Sequence, residues 1–331
     1  MINEETHKRK IKRYRFTKDI NKKLNQLIVL DNWHGIIALL YDYAVIFFAI
    51  HLYFMSPYFY PITLLFIGSR QGALSNLLHE SAHSRLAHNK TLNYVLGTYL
   101  SGYLIFQEYY TFIASHIKSH HHHLGDQEKD PDYYFHINSG LYKPVDHDEF
   151  FKKYIFKPLC LGHVYDYTKH IFLHRAPTFS KYKRHAIKMG FYLGTIALIF
   201  LYLGMFKYFV MFWIVPFFTV FPIIGWFIDL AEHYPLVAEN EIDIRMTRNR
   251  FGNFLENFIF NIHNEHYHLV HHLRPAIPFW NLKKAHQIMM EDKEYERLNQ
   301  DSGGIFSSAG YQKTFIAKIL DHNQKMFHKA N

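Results

Sequence analysis

The segment NLLHESAH, residues 76–83, places two histidines, His79 and His83, four positions apart. Residues at this spacing lie on one face of an α-helix, so both imidazoles can bind the same metal ion. The same letters read HExxH, the zinc-protease pattern in which Glu80 would act as a general base. The five-residue pattern is weakly specific, and a solvated histidine pair is the alternative interpretation. Metal binding at this segment therefore needs further ligands from elsewhere in the chain.

A second group lies in SHIKSHHHHLGDQEKDPD, residues 115–132, where His116 is followed by four consecutive histidines at positions 120–123. Imidazole suits zinc, copper, iron and nickel, so the residue type alone names no metal. Carboxylates can accept hydrogen bonds from ligand imidazoles and fix their tautomers, and four of them follow: Asp126, Glu128, Asp130 and Asp132. A charged, solvent-facing loop explains this acidic run equally well.

Two further groups lie late in the chain. FIDLAEHYPL, residues 227–236, carries His233, which taken alone is more typical of a structural histidine than of a ligand. NEHYHLVHHLRPAIPFWNL, residues 264–282, contains His268, His271 and His272 in HxxHH spacing. This spacing again places imidazoles on a shared helical face, and the prolines that follow are expected to end that helix. Four distant segments therefore carry metal-binding residue types.

Long apolar segments lie between these groups, and roughly 20 apolar residues are enough for a helix to cross a membrane. The predicted spans are residues 35–55, 57–78, 189–206 and 208–228. The last two contain no charged side chain, and the single Lys207 between them predicts a tight hairpin. The first two are less apolar because they carry Asp42 and Arg70, and a buried helical pair in a soluble domain is the alternative for them. The sequence predicts about four transmembrane helices in two hairpins.

Lysine and arginine residues beside the spans predict their orientation. Basic runs precede the first and third spans, KRKIKRYRF at 8–16 and KYKRHAIK at 181–188, whereas both outward loops are very short. With the N-terminus inside, every histidine group falls on the cytosolic side of a multi-pass membrane protein. A cleavable signal peptide is not expected, because the first apolar run starts late and is too long. Distant parts of the chain are therefore expected to build one site against the cytosolic membrane face.

The overall composition narrows the function classes. The chain has 331 residues and a formal net charge of +9. This basic balance fits a face lying against anionic lipid. Nucleic-acid binding is not expected, because the basic residues flank apolar segments and form no separate basic domain. Cys160 is the only cysteine, which excludes a disulfide framework and a four-cysteine iron–sulfur site.

Together the four groups resemble the histidine boxes of the membrane fatty acid desaturase family, the non-haem di-iron desaturases and hydroxylases. HESAH is similar to the first box, HIKSHH with LGDQEKDPD to the second, HLVHHLRPAIP to the third, and AEHYPL to the extra histidine after the last span. The resemblance covers residues 35–290 and implies an all-α integral membrane protein whose cytosolic helical cap carries the boxes. A basic cytosolic arm, 1–34, would precede this domain, and a cytosolic tail, 291–331, would follow it.

The resemblance implies that nine histidines hold two iron ions. The expected ligands are His79, His83, His116, His120, His121, His233, His268, His271 and His272. Nine imidazoles exceed the roughly four ligands of one zinc ion, but they suit two ions of higher coordination number. The chain departs from the family in two places: the second box reads HxxxHH instead of the commoner HxxHH, with Ser119 where a ligand might be sought, and Arg274 stands where many relatives have Phe. If His120 and His121 act together with His116, then His122 and His123 are not ligands.

The implied reaction is the O2-dependent introduction of a double bond into an acyl chain of a lipid or fatty acyl substrate. The acyl tail would lie between the spans, near Phe217, Phe221 and Trp226, although a lipid-facing position is the favoured interpretation of these aromatic residues. Two electrons per turnover would come from a separate ferredoxin or cytochrome b5-like donor, because the sequence shows neither an HPGG-type haem domain nor a cysteine cluster. Hydroxylation or ketolation of a lipid, carotenoid or small molecule is the alternative. A membrane zinc protease and a metal-binding or transport protein are remote alternatives.

Overall fold

Helices make up the regular structure of residues 11–330, the part of the chain that the computed structural model describes, apart from one isolated bridge between Lys12 and Ile242. In chain order, the α-helices are α1 Lys18–Asn25, α2 His34–Met55, α3 Tyr60–Ala82, α4 Lys90–Thr98, α5 Tyr109–Phe112, α6 Pro131–Asn138, α7 His147–Phe150, α8 Lys157–Leu159, α9 Val164–Arg175, α10 Phe179–Tyr202, α11 Phe206–Phe209, α12 Val215–Phe217, α13 Val220–His233, α14 Leu236–Glu239, α15 Phe254–Ile259, α16 His268–Leu273, α17 Leu282–Met289, α18 Lys293–Asn299 and α19 Phe315–Ala330. The all-α prediction is confirmed over this range. The first ten residues of the predicted basic arm lie outside the described residues.

Shorter helical segments connect these elements. The π-helical segments are Ile113–His121, Phe151–Phe156 and Val210–Ile214, and the 3₁₀ segments are Pro57–Phe59, Gly102–Ile105, Asp243–Arg245, Ile262–Asn264 and Phe279–Asn281. A π-helix pairs residues five apart instead of four, and such segments occur frequently at functional sites.

Three helical stretches in the described part of the chain are long and apolar enough to cross a membrane: α2, α10 and the consecutive helices from Phe206 to Glu239. Helix α3, which covers most of the second predicted span, does not reach this apolarity because its C-terminal half is rich in polar residues. The structure thus supports a membrane protein with three apolar helices.

The polar side chains of α3 face protein, and they are paired there. Arg70 is 1% exposed, and its guanidinium lies 3.5 Å from the Asp42 carboxylate of α2. Asp42 also lies 2.7 Å from Nε2 of His263, in the segment that leads to the third histidine box. Gln71 donates a hydrogen bond of 2.8 Å to the Trp213 carbonyl oxygen. Buried charges are stable only when they are paired in this way, so these contacts fix α2, α3 and the third-box segment relative to one another.

The hairpin between the last two predicted spans differs from expectation. Helix α10 begins at Phe179, ends at Tyr202, and includes the basic KYKRHAIK run. The connection is formed by residues 203–205, where Gly204 has a positive φ of 67° that a glycine adopts without strain. Lys207 lies inside the following helix, which begins at Phe206, and is not the connecting residue.

Both ends of the described chain contribute to the main core. Phe16 and Leu24 are buried near the N-terminus. Tyr295, Ile305 and Phe315 are buried near the C-terminus. The main core therefore includes residues of the predicted arm, 1–34, and of the predicted tail, 291–331.

The aromatic residues proposed for the acyl channel also lie in this core. Phe217 and Phe221 stack with ring centroids 5.1 Å apart, and both are almost fully buried. Trp226 is fully buried and donates a hydrogen bond of 3.0 Å to the Tyr154 carbonyl oxygen. These side chains pack against other helices instead of facing lipid, which corrects the favoured interpretation.

Close packing joins α4 to the first histidine box. A Cβ atom added at Gly97 of α4 would lie 2.1 Å from the Ser81 Cβ, in the box sequence HESAH. Ser81 donates a hydrogen bond of 2.7 Å to the Asn93 carbonyl oxygen. Only glycine allows the two backbones to approach this closely.

A buried hydrogen-bond chain ties α17 to α18. The Asn249 side-chain amide donates to the Tyr295 hydroxyl over 2.8 Å, and that hydroxyl lies 2.8 Å from Nδ1 of His286. Burial lowers the pKa of His286 to about 4. His286 is therefore neutral at physiological pH, the form that can accept the tyrosine proton.

Candidate metal centre

Five histidines from three segments form the first group. Their ligand nitrogens lie within 4.8 Å of one another. Helix α3 supplies His79 and His83 from its C-terminal end, the π-helical segment supplies His116 and His121, and α16 supplies His271. The predicted i and i+4 pair of the first box thus faces imidazoles that come from far along the chain.

Four histidines form the second group beside the first. The nitrogens of His120, His233 and His272 lie within 4.8 Å of one another. Nε2 of His268 lies 3.2 Å from Nε2 of His233. The rings of His121 and His272, which belong to different groups, stack with centroids 4.4 Å apart. The structure therefore brings all nine sequence-predicted histidines into two adjoining groups.

The π-helical segment explains how the HxxxHH spacing of the second box contributes to both groups. His116 and His121 are five residues apart, and their Nε2 atoms lie 3.0 Å apart. Ser119 donates a hydrogen bond of 3.0 Å to the Ala114 carbonyl oxygen, also five residues earlier. Since a π-helix brings residues five apart onto one face, His116 and His121 share a group while His120 faces the second group.

The spacing of these nitrogens fits metal coordination. Two nitrogens bound about 2.1 Å from one ion at a right angle lie about 3.0 Å apart. His271 and His121 have Nε2 atoms 3.2 Å apart, close to this value. Nε2 of His83 and of His272 is buried and has no hydrogen-bond partner in the described structure. Buried nitrogens without partners are costly unless a ligand completes them, so the donor set fits two imidazole-bound ions.

Most of these imidazoles are neutral. Burial lowers the pKa of His83 to about 4 and holds the pKa of His116, His271 and His272 well below the usual range. Burial acts in the same direction on His120, but Asp130 and Asp132 outweigh it and raise the pKa of His120 to about 9. Metal binding at His120 therefore has to displace a proton.

Carboxylates orient the second group. Asp130 lies 3.0 Å from Nδ1 of His120, and Glu232 lies 3.2 Å from Nδ1 of His268. A carboxylate on Nδ1 favours the tautomer whose Nε2 is free to bind a metal. Asp130, one of the candidate carboxylates from the sequence, and Glu232, which precedes His233, therefore have this geometry.

Arg250 holds the carboxylates beside His268, and sequence patterns gave no signal for it. This arginine is fully buried and donates a hydrogen bond of 2.9 Å to Glu232 and a shorter one to Glu265. Burial opposes charge on Glu265, but Arg250 outweighs it and keeps the pKa of Glu265 well below its usual range. Arg250 therefore pairs with both glutamates, and Glu232 in turn contacts Nδ1 of His268.

His122, His123, Glu128 and His263 lie outside both groups. His122 is exposed, and its Nδ1 lies 2.6 Å from the Ile117 carbonyl oxygen. His123 lines a separate surface cavity, and Glu128 is exposed. His263 contacts Asp42 instead of the other histidines.

Comparison with known proteins agrees with this geometry. The fatty acid desaturase family model matches residues 55–302. The chain belongs to the fatty acid desaturase family. A relative from Bradyrhizobium elkanii, dihydrorhizobitoxine desaturase, is 37% identical over 324 residues, covering 95% of this chain and 92% of the relative. As a desaturase, the protein is an oxidoreductase, and its histidine groups are able to bind metal.

Proposed function

We propose that this desaturase is a membrane-bound, O2-dependent enzyme whose two histidine groups hold two iron ions. The observation that supports it is the convergence of nine imidazoles from four distant segments into two adjoining groups. The proposed ligands of one ion are His79, His83, His116, His121 and His271, and those of the other are His120, His233, His268 and His272.

Bound iron would supply the activation of O2 needed to attack an unactivated C–H bond, chemistry that no side chain provides. The protein's own part is to hold and orient the imidazoles through Asp130, Glu232 and the buried Arg250. Removing two hydrogens from adjacent carbons while O2 becomes two waters consumes two electrons and two protons. We propose that a ferredoxin or cytochrome b5-like protein donates these electrons.

Two substrate classes are candidates. The family favours an acyl chain of a lipid or fatty acyl substrate. The Bradyrhizobium relative, similar over nearly the whole chain, is named for dihydrorhizobitoxine, which favours that compound or a related small molecule. Both classes share the proposed reaction, the introduction of a carbon–carbon double bond.

We propose that α3 is a fourth membrane span and that the histidine groups face the cytosol. A helix with buried charges is tolerated in a membrane when those charges pair inside the protein. Arg70 and Asp42 form such a pair between α3 and α2. Basic residues at 181–188 and the very short opposite loops support the orientation.

Expression in a host, with analysis of its lipids and of added dihydrorhizobitoxine, tests the proposal. Wild-type protein is expected to yield a product lacking two hydrogens, and His271→Ala is expected to yield none. His123→Ala is the matched control and is expected to retain product, because this imidazole lines a separate surface cavity and lies outside both groups. Product from the His271→Ala variant would refute the proposed role of the first group.

A further inference from the structure

A cavity of about 410 Å³ opens beside both histidine groups. Its wall includes His83 and His121 of the first group and His272 of the second. The N-terminal arm contributes Arg13 to the wall, and the end of the third box contributes Arg274. A molecule in this cavity therefore lies against imidazoles of both groups.

Arg274 is a cation with spare hydrogen-bonding capacity in this wall. Its guanidinium donates to the side-chain oxygen of Asn21, a neutral partner, and its Nε is buried without a hydrogen-bond partner. Within the described residues, Arg274 forms no ion pair with a carboxylate. A guanidinium offers five donors in a planar fork that matches a carboxylate, so this residue is suited to binding one.

The other charged groups of the wall are already matched. Arg13 lies 3.6 Å from the Asp243 carboxylate. The same carboxylate accepts hydrogen bonds from the backbone N–H groups of Tyr14 and Ile244, at 2.7 and 2.8 Å. These contacts hold the arm in place as part of the wall. Arg274 is therefore the charged residue of this wall that has no oppositely charged partner among the described residues.

The rest of the wall is largely apolar. Its apolar residues are Phe16, Ile117, Leu273 and Pro275, and Tyr14 and His122 add polar atoms. A ligand with an anionic end and an aliphatic body therefore matches the cavity. At about 30 Å³ per water, the volume corresponds to about 14 water molecules, so a short acid fits inside while a long chain must extend beyond it.

We propose that this cavity is the substrate site and that Arg274 binds a carboxylate of the substrate. The proposal rests on the proposed function, because it takes the adjoining imidazoles as iron ligands. A small carboxylic acid and a free fatty acid share the chemistry that Arg274 recognises.

Equilibrium dialysis of the purified full chain as isolated, without an electron donor, with radiolabelled octanoate, palmitate and methyl octanoate tests the proposal. At least one of the two acids is expected to bind. Tighter binding of octanoate would indicate a small carboxylic acid as the substrate, and tighter binding of palmitate would indicate a long-chain fatty acid. Arg274→Gln is expected to weaken that binding about tenfold or more, since hydrogen bonds to charged groups are the strong ones. Arg274→Lys keeps the charge but loses the planar fork of donors, so its affinity for the acid should lie between those of the wild type and Arg274→Gln.

The matched control is Lys12→Gln, because Lys12 belongs to the same arm but pairs with Glu241 at 3.1 Å instead of lining the cavity. This control is expected to bind the acids as wild type does. The proposal is overturned if neither acid binds, if the ester binds as tightly as octanoate, or if Arg274→Gln binds normally. The iron content of the same preparations is measured separately. Two irons per chain without binding of an acid would contradict the proposed substrate site alone, whereas absence of iron would contradict the proposed function.

Discussion

Replacing Arg250 with glutamine is expected to destabilise the protein and to weaken iron binding in the second histidine group selectively. Arg250 bridges Glu232 and Glu265, and Glu232 lies 3.2 Å from Nδ1 of His268. Glutamine removes the positive charge and leaves two buried carboxylates close together. His268 loses its fixed orientation when these carboxylates move apart or take up a proton.

The expected magnitudes follow from burial. Removing one partner from a buried ion pair costs about 3–5 kcal/mol. For a chain of 331 residues, this lowers the melting temperature by about 4–7 °C. Loss of a group that orients a metal ligand weakens metal affinity by about 10–100-fold. Since His268 belongs to the second group alone, the first group should bind iron normally.

The assay combines thermal unfolding in detergent with iron analysis during titration with a chelator. Wild-type protein should release two irons at high chelator concentration, and Arg250→Gln should release one of them at a concentration about 10–100-fold lower. Arg248→Gln is the control, because Arg248 donates to the Tyr234 carbonyl oxygen at 2.7 Å and contacts no histidine ligand. A melting temperature within 1 °C of wild type, with both irons held normally, would refute the reasoning about Arg250.

Three further predictions concern the box register, pH and helix packing. His122→Ala combined with His123→Ala should leave the iron content unchanged, because neither imidazole belongs to the two groups. Lowering the pH from 8 to 5 should destabilise wild-type protein by about 1–2 kcal/mol more than His286→Gln in chemical unfolding, because His286 has a pKa of about 4 when folded and about 6.5 when unfolded. Stability from His286 is thus present above pH 6.5 and is lost as the pH falls towards 4. Gly97→Ala should destabilise the protein by about 1–3 kcal/mol, whereas Gly190→Ala, with open space around its Cβ, should not.

Each of these expectations has an outcome that contradicts it. Loss of one iron from the double variant at 122 and 123 would move the ligand register along the histidine run. Equal pH dependence in wild type and His286→Gln would show that the buried Tyr295 hydrogen bond does not depend on a neutral imidazole. Wild-type stability of Gly97→Ala would contradict the close approach of α4 to Ser81.

Much of the site was predictable because metal binding imposes local spacing. His79 and His83, four residues apart on α3, needed only helical periodicity. The π-helical segment was not predictable in this way, since spacings were interpreted on an α-helical period. It places His116 and His121, five residues apart, in one group. Helix type is decided by how the whole segment packs, which a local pattern does not contain.

Contacts between residues far apart in the sequence could not be predicted either. Arg250 follows no motif, yet it joins Glu232 and Glu265, which belong to different boxes. The basic run around Arg13 indicates only a flank of the first span, whereas in the structure it forms a wall of the cavity beside the histidines. Such roles depend on which distant segments meet after folding. Apolar runs predict the approximate positions of the apolar helices. They do not predict the position of the turn at Gly204, which is set by the backbone conformation of that residue.

The number and identity of metal ions per chain test the central claim most directly. Wild-type protein purified in detergent and analysed by inductively coupled plasma mass spectrometry should contain two irons. Removing a single ligand from either group, by His271→Ala or His233→Ala, should lower the iron content to about one. One zinc per chain, or an iron content that neither substitution changes, would contradict a two-iron centre built from these histidines.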